Sequence, residues 1–214
     1  MKDLRNYKRR DLLARRSFPW GRLVFFATGN VHKFNEAREV LAEHGLATGM
    51  LRIGALEIQD DDIESIAKAA AVDAARRSLL PVIVEDAGLF IDALNGFPGP
   101  YSKYVYQTIG KEGVVKLLEN CEDREARFRS VVAFCGPRTV PRCFHGVVKG
   151  RIVERIMGSL GFGFDPVFEP MERQGRTFGE MTLEEKNEFS HRARALRRFA
   201  EWYKSSSEAS QQSF

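Results

Sequence analysis

Apolar and polar residues repeat along the chain with two different periods, and each period predicts one type of element. The uninterrupted apolar run Leu23–Ala27 is typical of a strand buried on both faces. After a short polar turn, apolar residues recur at helical spacing from about Lys33, and Gly45 is a suitable end for that helix. The Ala-rich residues 63–79 predict a second helix, and residues 82–84 predict a second buried strand.

The second half of the chain predicts shorter elements. In chain order they are a strand at 89–94, a helix over 101–120 that breaks at Gly110, and an antiparallel hairpin of strands 126–135 and 142–149. Thr182 begins a capping-box pattern, and Ser190 is a suitable cap for a last helix that runs to about Lys204. Strands and helices in this order, with room for a further strand between the first two helices, predict an α/β protein with a mixed sheet.

Length and composition are typical of a globular domain. The chain has 214 residues, of which 43% are hydrophobic. We expect a basic extension over residues 1–22, one α/β domain over residues 23–204, and a flexible polar tail over residues 205–214. No apolar run approaches the roughly 18 residues that a membrane span requires, so we expect no membrane partner.

The net charge of +4 is unevenly distributed, because the first 22 residues contain eight basic and two acidic side chains. The remainder is slightly acidic, which makes nucleic acid an unlikely main ligand. A solvated extension explains the basic segment best. A polyanion-binding arm or a transit peptide explains it less well. Three cysteines without Cys-x-x-Cys spacing favour a reduced, cytoplasmic protein.

The turn that follows the first strand is a candidate phosphate site. Thr28, Gly29 and Asn30 lead directly into the first helix, where backbone N–H groups and the positive helix end can hold phosphate. Lys33 adds a formal positive charge. The turn lacks the spacing of a Walker motif, and an ordinary strand-to-helix turn explains it as well.

Acidic residues follow the second buried strand. Glu85 and Asp86 are adjacent, and neighbours on an extended chain point in opposite directions, so we expect one of them to face the cleft. Buried acids are costly unless they are paired or bind a metal. Glu57 and residues 60–62 supply further oxygen ligands of the type that Mg²⁺ prefers, although a solvated strand end and helix start explain them too.

Two later motifs combine rings with charged groups. Residues 161–166 alternate glycine with phenylalanine before an aspartate, which indicates either a packed turn or a platform for stacking a base. Ser190, His191 and Arg192 stand at the start of the last helix, where the guanidinium fork suits a carbonyl edge or a phosphate. A histidine at such a position, taken alone, is more often a capping or core residue.

Together these segments resemble the inosine triphosphate pyrophosphatase family, the Ham1/RdgB-like nucleotide house-cleaning enzymes, and its archaeal members above all. The matching stretches are residues 27–33, 84–89, 96–104, 161–166, 185–187 and 190–192, in the order and spacing of the family. The resemblance implies an elongated mixed sheet with flanking helices, two lobes around a central nucleotide-binding cleft, and a homodimer. It also implies hydrolysis of inosine, deoxyinosine or xanthosine triphosphate to the monophosphate and pyrophosphate.

The resemblance assigns roles to individual residues. Asp86 would be the catalytic carboxylate and a Mg²⁺ ligand, with Glu57 as the second ligand. The substrate would contact Thr28, Gly29, Asn30, Lys33, Ala87, Lys103, Phe162, Gly163, Phe164, Asp165, Lys186, His191 and Arg192. Within that set, the first turn and the lysines would hold the triphosphate, Phe162 would stack on the base, and Asp165, His191 and Arg192 would surround its edge.

Two alternatives differ from this assignment. One is a Maf-like pyrophosphatase that acts on modified pyrimidine nucleotides, against which the Phe162 loop and the Ser190 to Arg192 segment argue. The other is a nucleic-acid-binding protein that docks through residues 1–22, which would show salt-sensitive binding.

Overall fold

The computed structural model of the protein describes residues 23–54 and 56–211. The predicted basic extension over residues 1–22 lies outside the described residues. The strands are β1 (Leu23–Ala27), β2 (Ala47–Leu51), β3 (Val82–Ile91), β4 (Pro98–Gly99), β5 (Glu125–Cys135), β6 (Arg142–Ile152) and β7 (Phe168–Pro170). The α-helices are α1 (Val31–Glu43), α2 (Ile63–Ser78), α3 (Ser102–Thr108), α4 (Gly110–Leu117), α5 (Leu183–Asn187) and α6 (His191–Gln211).

The seven described strands form one mixed sheet in the order β2-β1-β3-β5-β6-β7, with β4 paired to β3. β1 runs parallel to β2 and β3, and the remaining pairs are antiparallel. The α/β prediction and the predicted hairpin of β5 and β6 are therefore confirmed. In the parallel pair Phe26 lies opposite Ile83, so the turn that follows β1 lies beside Glu85 and Asp86.

The prediction of two separate strands at 82–84 and 89–94 was wrong. β3 is a single strand of 10 residues, and it pairs with β5 from Val82 to Ile91. Gly88 permits this course, because a Cβ at this position would stand 2.3 Å from the Gly99 carbonyl oxygen of β4. The adjacent acids consequently lie in the middle of a paired strand and not at its end.

Three apolar clusters divide the molecule into two lobes. One packs α1 and α6 on one face of the sheet, around Phe26, Ile83 and Phe199. A second packs the alanines of α2 on the opposite face. The third surrounds Phe128 and Phe168 at the other end of the long strands, and it forms the second lobe. The predicted arrangement of two lobes is confirmed.

Local signals in the sequence account for the helix starts. The side chain of Asn30 caps α1, that of Asp62 caps α2, and Thr182 and Glu185 form the predicted capping box of α5. α6 continues to Gln211, so it includes part of the segment predicted to be a flexible tail. Among the described helices, none has both the length and the apolar character that a bilayer crossing requires.

The start of α6 lies unusually close to β6. A Cβ at Gly146 would stand 1.9 Å from the carbonyl oxygen of His191, so only glycine permits this approach. The contact holds His191 and Arg192 against the sheet, on the same face as Glu85.

Candidate active site

The turn after β1 is ordered by its own side chains. The Asn30 side-chain oxygen accepts hydrogen bonds from the backbone nitrogens of His32 at 2.9 Å and Lys33 at 3.2 Å. The Asn30 nitrogen donates to Thr28 Oγ1 at 3.1 Å. These bonds set the first turn of α1 so that the Lys33 side chain extends towards β3.

Glu85 and Asp86 point to opposite faces of β3, as expected for neighbours on a strand. Glu85 is buried, and its Oε2 lies 2.9 Å from Lys33 Nζ. Lys33 Nζ also donates to the Glu85 carbonyl oxygen at 3.2 Å. Asp86 is only partly buried, and it lies on the α2 face of the sheet. Of the two acids, Asp86 is therefore the one open to a ligand.

The surroundings of Asp86 disfavour the charged form of its carboxyl group. Burial raises the pKa of this carboxyl to about 6; the Lys33 charge opposes the rise, and the carboxylates of Glu85 and Glu57 add to it. A bound cation would relieve the penalty on the charged carboxylate. Among the described residues, no three His, Cys, Asp or Glu side chains form a metal-holding group. The carboxylate oxygens of Asp86 and Glu57 are donors of the type that hard divalent cations prefer.

Glu57 and Lys103 form an exposed ion pair at the rim of the cleft. Their Oε1 and Nζ atoms lie 3.1 Å apart, and both side chains are largely exposed. Exposed pairs of this kind contribute less than about 1 kcal/mol, so either group is free to exchange its partner for a ligand. The pair thus places one anionic and one cationic group near Asp86.

Six buried or half-buried side chains form a chain of alternating charges across the cleft, which we call the ion ladder. In spatial order they are Lys33, Glu85, Arg192, Glu36, Lys186 and Asp165. Glu85 Oε1 lies 3.1 Å from Arg192 Nε, and Glu36 Oε2 pairs with Arg192 Nη1. Lys186 Nζ lies 2.8 Å from Glu36 and 2.7 Å from Asp165. The ladder joins the first turn of α1, through Lys33, to the Phe162 loop, through Asp165.

Four members of the ladder, Glu85, Arg192, Glu36 and Lys186, stabilise one another in their charged forms, whereas burial raises the pKa of Asp165 despite the charge of Lys186. Burial by itself would raise the pKa of Glu36, but the charges of Arg192 and Lys186 outweigh it and lower the pKa to about 2. Burial is likewise outweighed at Glu85, where Arg192 and Lys33 hold the pKa well below its usual range. Burial would lower the pKa values of both cations, but Glu36 and Glu85 raise that of Arg192, and Asp165 and Glu36 raise that of Lys186.

Phe162 lies where the two lobes meet. Its ring stacks on His32 of α1, with centroids 5.3 Å apart and planes inclined by 21°. Lys186 Nζ lies 4.9 Å and Arg192 Cζ 5.4 Å from the ring centroid. The Phe162 nitrogen donates to Asp165 Oδ2 at 2.8 Å. Asp165 therefore shapes the loop and anchors Lys186, in addition to any contact with a ligand.

His191 is buried beside Arg192, in surroundings that disfavour its charged form. Its ring stacks on Phe128 with centroids 4.6 Å apart and an interplanar angle of 11°. Burial lowers the pKa of His191 well below its usual value, and the charges of Arg192 and Lys186 lower it further. Within the described part of the chain, no group hydrogen-bonds its buried Nδ1 atom. A neutral imidazole with an unpaired polar atom remains able to contact a ligand.

The remaining predicted residues differ in their surroundings. Phe164 is buried in the second lobe, edge-on to Tyr106, whereas Gly163 has open space at its Cα. Ala87 lies on β3 opposite Ser130. Gly29 is exposed in the turn after β1, with open space at its Cα. Sequence reasoning missed Glu36 and Ser130, although Glu36 follows Lys33 by three positions on α1, where side chains share a helix face.

Comparison with known proteins identifies the family. A sequence model of the Ham1 family matches residues 24–202. A protein of Methanopyrus kandleri named dITP/XTP pyrophosphatase is 52% identical over 181 residues, which cover 85% of this chain and 96% of that protein. The chain belongs to the Ham1 family. A Methanothermobacter marburgensis protein of the same name is 53% identical over 84% of this chain and 95% of its own length.

Solved structures of Ham1 proteins have the same fold. A HAM1 protein from Coxiella burnetii superposes with a TM-score of 0.75 at 29% identity, covering 86% of this chain and 98% of the other. The Staphylococcus aureus Ham1 protein superposes with a TM-score of 0.73 at 26% identity, covering 86% and 99%. The two-lobed sheet is thus shared within the Ham1 family at low sequence identity.

The ion ladder of this Ham1 chain should govern its stability in acid. Glu36→Gln removes the buried negative charge that pairs with Arg192 and Lys186. We therefore expect the free energy of unfolding to fall by about 3–5 kcal/mol at neutral pH. Because the pKa of Glu36 falls from 4.5 to about 2 on folding, its contribution is complete above about pH 4.5 and is lost as the pH falls to about 2. The difference between wild type and variant, measured by urea unfolding, should shrink over that interval.

Glu43→Gln is the matched control on the same helix. Glu43 pairs with Arg197 at the surface at 3.1 Å, so its loss should change stability by less than about 1 kcal/mol. A difference for Glu36→Gln that stays constant down to pH 2 would contradict the charged ladder.

Proposed function

We propose that the chain is a hydrolase that cleaves non-standard purine nucleoside triphosphates, such as dITP, ITP and XTP, to the monophosphate and pyrophosphate. Relatives named dITP/XTP pyrophosphatase, about half identical and matched over nearly their whole length, support this activity. The structural support is that the charge of Lys33 acts on Asp86, and that His32, the neighbour of Lys33 on α1, stacks on the Phe162 ring.

The triphosphate would lie over the turn after β1, where Thr28, Asn30 and the start of α1 present polar groups beside Lys33. Lys103 would break its ion pair with Glu57 and supply a second positive charge to the triphosphate. Asp86 would accept a proton from the water that attacks the α-phosphorus, or orient that water, while pyrophosphate departs. Charge gathers on the leaving group, so preorganised cations at this end would stabilise the transition state.

A divalent cation fits this arrangement and is part of the proposal. Asp86 and Glu57 would hold the ion, which we expect to be Mg²⁺ because the available donors are carboxylate oxygens. When bound, the ion would neutralise phosphate charge and polarise the scissile bond. Asp86 would then remain ionised beside the cation.

The base would stack on the Phe162 platform and present its edge to Arg192. The two ion pairs of Arg192 use Nε and Nη1, and the N–H groups on Nη2 would donate to an acceptor at position 6 of the purine. Inosine and xanthosine carry an oxygen there, whereas adenine carries an amino donor. Stacking would require the His32 ring to leave the face of Phe162 that it occupies, or the base to use the other face.

The test is pyrophosphate release from a panel of triphosphates with Mg²⁺ present or removed by chelation. Inosine, deoxyinosine and xanthosine triphosphates should exceed adenosine triphosphate by roughly 10³-fold or more in kcat/KM. Chelation should abolish release. Equal rates on purine and modified pyrimidine triphosphates would refute the proposed substrate class.

We also propose that the enzyme works as a homodimer in the cytoplasm. All three cysteines, Cys121, Cys135 and Cys143, are free thiols, which suits a reducing compartment. Light scattering after gel filtration should give twice the mass of the 24.3 kDa chain. A monomeric mass at micromolar concentration would refute the dimer.

A further inference from the structure

Glu85 touches both ends of the cleft through one carboxylate. Its Oε2 lies 2.9 Å from Lys33 Nζ at the phosphate end, and its Oε1 lies 3.1 Å from Arg192 Nε at the base end. Ser130 Oγ donates to the same Oε1 at 2.6 Å, which fixes the orientation of the carboxylate. Glu85 and Ser130 are both buried, so little water competes for these contacts.

We propose that Glu85 is a positioning residue that couples polyphosphate binding to base recognition. The inference rests on the proposed function, because it assigns the phosphate to Lys33 and the base to Arg192. A phosphate at Lys33 takes a share of the ammonium charge that Glu85 otherwise receives. Glu85 then interacts more strongly with Arg192, and the guanidinium becomes more firmly held in the position from which it donates to the base.

Burial makes this coupling strong enough to matter. Interactions between buried charges are weakened far less by solvent and salt than interactions at the surface. A guanidinium that is already fixed loses less freedom when a ligand binds, so the base binds more tightly. The effect is reciprocal, since a bound base must favour phosphate binding to the same extent.

The coupling has a consequence for selectivity. When no phosphate is bound, Glu85 interacts with both Lys33 and Arg192, so Arg192 is held less firmly. A nucleoside without phosphates should therefore bind weakly. A triphosphate completes the arrangement and should be recognised with greater selectivity. The ratio of inosine to adenosine affinity should therefore be larger when pyrophosphate occupies the other end of the cleft.

The experiment is calorimetric titration of the full-length protein with inosine, with and without saturating pyrophosphate and Mg²⁺. For wild type we expect pyrophosphate to tighten inosine binding by about tenfold, within the usual range of coupling between sites. Glu85→Gln should reduce this factor to about twofold or less, while each ligand alone still binds. A coupling factor unchanged in Glu85→Gln would overturn the proposal, as would pyrophosphate that weakens inosine binding in wild type.

Glu36→Gln is the matched control. Glu36 is also buried and also pairs with Arg192. Its second ion pair, however, is with Lys186 and not with Lys33. It should weaken inosine binding and retain the coupling factor. Equal loss of coupling in both variants would show a property of the whole ladder and overturn the assignment to Glu85.

Ser130→Ala keeps the experiment decisive if Glu85→Gln fails to fold. It removes only the hydrogen bond that orients Glu85 Oε1, so the coupling factor should fall by about half or more; an unchanged factor would overturn the proposal. Failure of the proposed function looks different, because wild type would then bind neither inosine nor pyrophosphate. Binding of both without coupling would refute the inference alone.

Discussion

Asp86→Asn is expected to lower kcat for inosine triphosphate by at least about 10³-fold, since proton transfer by a positioned base contributes 10²–10⁴-fold and the same change weakens the metal site. The amide matches the carboxylate in size but neither accepts a proton nor balances a cation. Stability should not decrease, because burial penalises the charged form of Asp86 and a neutral amide avoids that penalty. The measurement is steady-state pyrophosphate release, together with thermal unfolding.

Asp92→Asn is the matched control for this prediction. Asp92 follows the same strand and pairs with Arg127 at 2.5 Å on an exposed surface, outside the cleft. Its substitution should leave kcat within about twofold of wild type. Turnover near the wild-type level in Asp86→Asn would remove this residue from the chemistry and shift attention to Glu57.

The part of the site formed by β1 and β3 was predictable from the sequence. Two buried apolar runs that each lead into polar residues indicate adjacent strands, and the connection through helices indicates that they run parallel. From that alone, Lys33 is expected beside the acids that follow Val84, as the 2.9 Å distance to Glu85 confirms. The opposite directions of Glu85 and Asp86 follow from the geometry of a strand.

The ion ladder was not predictable, because its contacts join residues that are distant in sequence. Glu36 and Arg192 are separated by 156 positions, and no local pattern pairs them. A glutamate on a helix is expected to be exposed, and Glu36 is buried only because α6 packs on α1. The bounds of β2 could not be predicted for a related reason: it is an edge strand, its residues are half-exposed or exposed, and its sequence lacks a clear alternation.

Arg192→Lys is expected to reduce the preference for inosine over adenosine triphosphate, expressed as a ratio of kcat/KM values, on the order of 10²-fold. Lysine preserves the positive charge between Glu85 and Glu36, so the ladder keeps its balance. A single ammonium, however, lacks the planar fork that pairs with two carboxylates and still presents further N–H groups to the base. A rotating point donor discriminates less between an oxygen and an amino group at position 6.

The control for this substitution lies on the same helix. Arg197 pairs with Glu43 at the surface, so Arg197→Lys should change the ratio by less than about twofold. The two substitutions make the same chemical change five positions apart on α6, and they differ in what the guanidinium faces. If the preference in Arg192→Lys equals that of wild type, the purine edge is selected by other groups, of which His191 with its unpaired Nδ1 atom is the nearest on the chain.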